Sequence, residues 1–188
     1  MVGPWLSGEK VNLRPLRRGD VDQRVAWLND AETVRLFTGS EPMRAYERVD
    51  AERWRQTLEA DLTAVVWAVE TKQHQHIGDL DLHNMDRQAG LAKLTILIGD
   101  KAFWDSGCGT DAVKTMLRYA FLDLGLESVG LRVYNFNKRA IRCYEKCGFA
   151  WVEAASQDRR TPLEPGEIQM VTTKDRFTGN PDASAIHT

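Results

Sequence analysis

The chain is short of several things, and each shortage closes off a class of protein. Of its 188 residues only three are cysteines, Cys108, Cys143 and Cys147. An odd count argues against a disulfide framework, and residues one helical turn apart, as Cys143 and Cys147 are, aim their Cβ atoms poorly for a bridge. Four histidines, His74, His76, His83 and His187, stand at no metal-ligand spacing with those cysteines, so no metal is expected. Positive charge is not in excess: 25 lysines and arginines face 27 acidic residues, a net charge of -2. That balance gives no reason to expect a nucleic acid partner. No apolar run approaches the roughly 20 residues of a membrane span, and the opening MVGPWLSGEK lacks the apolar core of a signal peptide. Internal repeats and low-complexity tracts are missing too. The expectation is a cytoplasmic protein that touches no membrane.

What remains is ordinary globular material, 43% hydrophobic and 28% charged. The length suits one domain with a real core. Residues 1–178 are expected to form it, and 179–188, GNPDASAIHT, to hang as a loosely held tail.

Taken in order, Val11–Leu16 alternates apolar and polar side chains and predicts a first strand, with Pro15 marking its end or an edge position. Asp20 is placed to cap a helix running to about Leu28. Asn29–Met43 reads as loop, with Gly39, Ser40 and Pro42 close together, and Val49–Leu62 as a second helix burying Val49, Ala51, Trp54 and Leu58. Three strands follow. Ala64–Val69 is apolar throughout, which suits a central strand. Ile77–Leu82 alternates with Asp79 and Asp81, which gives it one polar face. Leu91–Ile98 comes after the polar turn Asn84–Gly90. Beyond Phe149 a short strand reaches Val152 or Glu153, a polar excursion covers Ser156–Gly166, and Ile168–Thr172 closes the fold. Arg17, Arg18, Arg35, Arg44 and Arg48 read as a solvated surface. The order of elements is that of an α+β protein with a mixed, twisted sheet and helices on both faces.

The informative stretch lies between. Gly107 and Gly109 precede Val113, Met116, Leu117, Ala120, Phe121 and Leu124, which recur at helical spacing up to a stop at Gly125. Glycines that open a helix leave backbone N–H groups pointing outward in front of its positive end. Such a pair is either a simple turn or an anion site. Cys108 sits inside this loop as a candidate nucleophile, but it has no adjacent histidine. After the strand Ser128–Tyr134, Asn137 can cap a short helix whose inner face carries Ala140, Ile141, Tyr144 and Cys147, and Gly148 ends it.

Two blocks, Trp104-x-x-Gly107-x-Gly109-Thr110-x-Ala112 and Asn137-x-Arg139-Ala140-Ile141-x-x-Tyr144-x-Lys146-x-Gly148-Phe149, resemble the GNAT superfamily of acetyl-CoA-dependent N-acetyltransferases in content, order and separation. Trp104 stands where many members carry Gln or Arg. The subgroup that acetylates the N-termini of ribosomal proteins commonly shares that departure. VNLRPLRRGD and LTILIGD extend the likeness upstream.

The resemblance implies that the two central strands splay and that the free backbone at the exit of Leu91–Ile98 holds the pantetheine arm of acetyl-CoA. It implies that Trp104, Ser106, Gly107, Cys108, Gly109 and Thr110 hold the pyrophosphate, with Asn137 and Arg139 beside them. The Ile98 N–H becomes both a cofactor contact and the oxyanion donor, and Tyr144 the general acid, protonated at neutral pH. Asn137 can serve as cap, ligand or both. For the base, Glu41, Asp79, Asp81 and His83 qualify by type, and ordered water is a further option. The expected acceptor is a protein or peptide α-amine, with an aminoglycoside or polyamine as the runner-up. A non-catalytic acyl-CoA-binding module is the rival from another class, disfavoured by Tyr144 and both glycines. A nucleotide switch is excluded because the loop lacks a Gly-Lys-Ser/Thr ending. A second copy of the chain, in a homodimer, is the one protein partner left open.

Overall fold

Alternating and apolar segments assemble into one sheet. The computed structural model describes residues 3–41, 44–152 and 162–178. Among them eight strands run in the spatial order β1 (Leu6–Ser7), β2 (Val11–Arg14), β3 (Val65–Thr71), β4 (His76–Asp86), β5 (Leu91–Ile98), β6 (Ser128–Tyr134), β8 (Glu167–Thr173) and β7 (Ala150–Trp151). The helices are α1 (Asp20–Trp27), α2 (Ala31–Thr38), α3 (Arg48–Ala60), α4 (Cys108–Arg118), α5 (Lys138–Lys146) and α6 (Lys174–Thr178). This is the mixed α+β sheet that was expected. The chain's last ten residues, read as a tail, and Ser156–Thr161 of the polar excursion lie outside the described residues.

Every neighbouring pair is antiparallel except β5 and β6. These two run parallel through the α4 crossover and pair only where Leu91–Lys93 meets Ser128–Gly130. Past Lys93 they part, so the implied splay is present. The main core is packed by Ala112, Val113, Met116 and Leu117 of α4 together with Leu13, Trp67, Leu80 and Leu131 of the strands. Burying each large apolar side chain there contributes roughly 1.5–3 kcal/mol. A smaller cluster of Trp27, Leu28, Val34 and Leu97, with Phe37 and Tyr46 packed on it, joins α1 and α2 to the sheet. Among the described residues no helix is long and apolar enough to cross a membrane.

Several local expectations are corrected. The stretch read as loop after Asn29 contains α2. Asp30 caps it, accepting the Thr33 N–H at 2.9 Å, and Gly39 ends it in the left-handed region at φ 79°. A side chain at Gly39 would also strike the Tyr134 ring, its Cβ only 2.2 Å from the nearest ring carbon, so glycine is what lets α2 lie against β6. Asp20 is not a cap. Gly19 occupies that position, and the Asp20 carboxylate instead takes both terminal nitrogens of Arg14, at 2.8 and 2.9 Å, and the Arg17 N–H at 2.6 Å. Pro15 ends β2 but marks no edge, because β1 pairs on β2's other side. Val49 is exposed, since α3 turns Ala51 inward instead. β8 inserts between β6 and β7, leaving β7 as the edge.

Candidate active site

The loop after β5 is fastened before α4 begins. Asp100 accepts the Ala102 N–H at 3.0 Å and starts a short 3₁₀ turn, Lys101–Phe103. Trp104 then folds back, its indole N–H donating to the Ile98 carbonyl at 2.7 Å. The Arg139 guanidinium lies 3.4 Å above the Trp104 ring centre, a cation–π contact. One indole therefore joins the strand exit, the loop and α5. Gly107, at φ 86°, turns the chain into α4, and no side chain caps that helix. The N–H groups of its first turn have no intrahelical acceptor. Among the described residues, only the Cys108 N–H has a side-chain partner, a long 3.4 Å contact with Ser106 Oγ.

At the strand exit the Gly99 N–H goes to the Ile77 carbonyl at 3.0 Å. Opposed residues in an antiparallel ladder alternate between bonded and non-bonded pairs. Ile98, opposite Gly78, therefore turns its N–H and C=O away from β4 and into the splay. Trp104 takes the carbonyl, and the N–H is left facing the gap.

A cavity of about 490 Å³ fills this gap. Ile98, Trp104, Gly107, Gly109, Thr110, Asn137, Arg139 and Tyr144 line it, so the structure brings together eight of the ten residues singled out from sequence. Ser106 and Cys108 are not among its walls. The Ser106 hydroxyl donates to the Phe103 carbonyl at 2.6 Å, and the Cys108 side chain is buried in the core, which removes it as a nucleophile. Asn137 caps α5, accepting the Ala140 N–H at 3.2 Å, and donates its amide to the Leu36 carbonyl at 3.1 Å. Tyr144 is buried with its ring against Phe149, and its hydroxyl has no partner among the described residues. Burial first, then the neighbouring Cys143 and Cys147 thiols, push the phenol well above its ordinary value. All three cysteines are free thiols.

Sequence reasoning missed two features here. Arg142 and Lys146 join Arg139 of α5 in the wall and give this end of the cavity a cationic character, while Lys93 and Arg132 line it from the strands. Lys10, at the β1–β2 turn, donates to the Ser106 carbonyl at 2.7 Å. The Asp111 carboxylate holds that turn by accepting the N–H groups of Glu9, Lys10 and Val11 at 2.8–3.0 Å. No local pattern announces a contact between residues so far apart in sequence.

A second cavity, about 390 Å³, lies between β4, β5 and the helices α1–α3. Arg24, Trp54, Leu58, Asp61, Asp79 and Asp81 line it, and it shares Phe37, His83, Thr95 and Leu97 with the first cavity. Asp79 is buried and paired with Arg24 at 2.9 Å, and it also meets His76 Nε2 at 3.1 Å. Asp81 meets His83 Nδ1 at 2.8 Å. Arg24 lies 3.6 Å above the Trp54 ring centre. Glu41 lines neither cavity. Among the described residues no group of three or more His, Cys, Asp and Glu side chains could hold a metal ion.

Comparison with known proteins bears on the family and the fold. The family model for the acetyltransferase (GNAT) domain matches residues 10–150. The N-acetyltransferase 9-like protein of Caenorhabditis briggsae is 25% identical over 184 residues, covering 93% of this chain and 91% of its own. The alpha/beta-tubulin-N-acetyltransferase 9 of Homo sapiens is 29% identical over 161 residues, covering 80% of this chain and 77% of its own. Spermidine N-acetyltransferase from Vibrio cholerae, solved in complex with CoA and spermine, superposes with a TM-score of 0.73 at 22% identity. It covers 89% of this chain and 98% of that one.

Proposed function

The chain belongs to the GNAT acetyltransferase family and is an acyltransferase; from that premise we propose that it moves the acetyl group of acetyl-CoA to the α-amine of a protein or peptide N-terminus. The observation that carries this reading is the shared wall between the two cavities. One end is cationic and has uncapped helix N–H groups. The other is walled by carboxylates and aromatic rings, and the splay connects them.

The first cavity suits a long anionic thioester. The first turn of α4 offers N–H groups, with the positive helix end behind them, to a pyrophosphate. Arg139, Arg142 and Lys146 surround that end, and the slot past Ile96 and Ile98 is apolar. Bound acetyl-CoA supplies an activated acyl group with a thiolate as leaving group. The Ile98 N–H, aimed into the gap, stabilises the developing oxyanion. Tyr144 protonates the departing thiolate.

The second cavity favours an acceptor with one positive charge. All three of its carboxylates already have partners, Asp79 in Arg24, Asp81 in His83 and Asp61 in the Thr63 N–H and hydroxyl, and Arg24 adds a guanidinium of its own. A polyamine would place further ammonium groups near that cation. The tubulin-acetylating relative, named for a protein substrate, points the same way. The test is a comparison of kcat/KM for Ala-, Ser- and Met-initiated peptides, the same peptides N-terminally blocked, spermidine and an aminoglycoside. Free-amine peptides are expected to lead by tenfold or more. A tenfold lead for spermidine or the aminoglycoside would overturn the α-amine assignment and make Asp61, Asp79 and Asp81 a polycation site.

A further inference from the structure

The acceptor amine arrives as an ammonium ion and must lose a proton before its nitrogen can attack. The candidates differ sharply in where the fold puts them. Glu41 lies outside both cavities. Asp79 is buried and already engaged by Arg24 and His76. His76 lies against Trp27, ring centres 4.9 Å apart, and lines neither cavity. His74 sits at the β3–β4 turn with Glu70.

His83 is different. Four residues belong to the walls of both cavities, Phe37, His83, Thr95 and Leu97, and His83 alone among them carries a basic nitrogen. Its side chain is 28% exposed, so solvent reaches it. Its Nδ1 faces Asp81 Oδ2 at 2.8 Å. A carboxylate accepts only, so in the neutral ring Nδ1 carries the hydrogen and Nε2 the lone pair. No partner for Nε2 occurs among the described residues. The backbone supports the placement. The β4–β5 register shifts between His83 and Asp86, and Asn84 has a positive φ of 50°, as a bulge that redirects a side chain requires.

We infer that His83 is the general base of the transfer and that Asp81 is the positioning residue that fixes its tautomer. This rests on reading the second cavity as the acceptor's. The ammonium gives one proton to His83 Nε2, directly or through one water, and His83 passes it to solvent. The freed amine attacks the carbonyl carbon of the thioester, a C–N bond forms and the C–S bond breaks. The thiolate takes its proton from Tyr144, and the second proton lost by the nitrogen restores the phenol. One amide, one thiol and one released proton result. Charged groups facing His83 are Asp81 on its own strand, Lys93 opposite it on β5, and Asp61 and Arg24 across the second cavity.

The test uses whichever amine the wild-type enzyme turns over fastest, so it does not depend on the α-amine assignment. His83→Ala and His83→Gln should lower kcat by on the order of 10²–10³, with acetyl-CoA affinity by calorimetry unchanged within about twofold. Added imidazole should restore part of the activity to His83→Ala, where it has room to enter, but none to His83→Phe. Asp81→Asn should lower kcat by about tenfold or more while the acceptor KM stays put, a split that a merely structural role would not produce. Retention of kcat in His83→Ala with chemistry rate-limiting overturns the inference. So does a loss that is matched by lost acetyl-CoA binding, or one that imidazole does not repair. Failure of peptides as acceptors, with imidazole rescue intact on another amine, would instead remove the α-amine reading and leave the dyad standing.

Discussion

Replacing Tyr144 with phenylalanine removes one oxygen and very little else. The ring stays packed on Phe149, with centroids 5.8 Å apart, and the lost hydroxyl has no partner among the described residues to strand. The melting temperature should therefore hold. The kinetic cost is another matter. A positioned general acid contributes on the order of 10²–10⁴ in rate, or about 2.7–5.4 kcal/mol of barrier at 1.36 kcal/mol per decade. Burial pushes the phenol up, which on its face makes it a poorer acid. The same burial also raises the thiolate it serves, because burial disfavours either anion. The gap between them then stays near that of the unperturbed groups, about 10 for a phenol and about 8.5 for a thiol. Proton transfer is uphill by only about 2 kcal/mol, which the acid can supply in the transition state. Single-turnover release of thiol, followed with a thiol-detecting reagent, is the measurement. Tyr144→Phe should slow it by two to four decades without weakening acetyl-CoA binding. With burial holding the phenol up, wild-type kcat should show no loss attributable to Tyr144 up to about pH 10. A variant within twofold of wild type, with chemistry rate-limiting, would return Tyr144 to a packing role.

Gly107→Val should weaken acetyl-CoA by about tenfold or more in calorimetry. The left-handed backbone costs a non-glycine residue roughly 1–2 kcal/mol, and the new Cβ would lie 3.0 Å from Lys10 Nζ. Unchanged affinity in a folded variant would detach the loop from the cofactor. Trp104→Phe keeps a ring under Arg139 but strands the Ile98 carbonyl, and should cost about 1–3 kcal/mol of stability; denaturant midpoints would show it, and no loss would mean that water replaces the indole. Burial pushes the Asp20 and Glu70 carboxyls up, but Arg14 and Arg17 for the first, and His74 and Arg14 for the second, outweigh it, so both sit below their ordinary values in the folded chain. Carboxyls lowered on folding stabilise above the ordinary carboxylate range and lose that contribution as pH falls through their folded values. Arg14→Leu should therefore cost about 3–5 kcal/mol at pH 7 and flatten the fall in stability below about pH 4.5, as urea titrations across that range would reveal.

What the sequence made legible follows from how local each signal is. The α5 block could be read because Asn137, Ile141, Tyr144 and Gly148 lie within a dozen residues, and their spacing is their structure. The same holds for β3 and for the α4 start at Gly107. α2 escaped because eight residues give too few turns for periodicity, though Asp30 and Gly39 were both visible as its ends. The second cavity was half legible. Asp79, Asp81 and His83 share one face by the period of two, so the Asp81-x-His83 spacing alone could have suggested the pair. What no spacing could supply was Arg24, brought from α1 to neutralise Asp79, or the helices that turned a polar face into an enclosed one.

The grip of Asp111 on the β1–β2 turn sets the order in which this protein can be made. Its three N–H partners lie 100 to 102 residues earlier in the chain. A ribosome adding roughly 5–20 residues per second leaves the N-terminal hairpin without its clasp for about 5–20 s. During that wait β2 has β3 to pair with, but α4 does not yet exist. The loop that opens α4 therefore closes late, after a contact of high sequence separation, which is the kind that slows folding. Shortening the first ten residues would be felt in two places at once, in the sheet, which loses β1, and at the mouth of the first cavity, which loses Lys10 and the clasp.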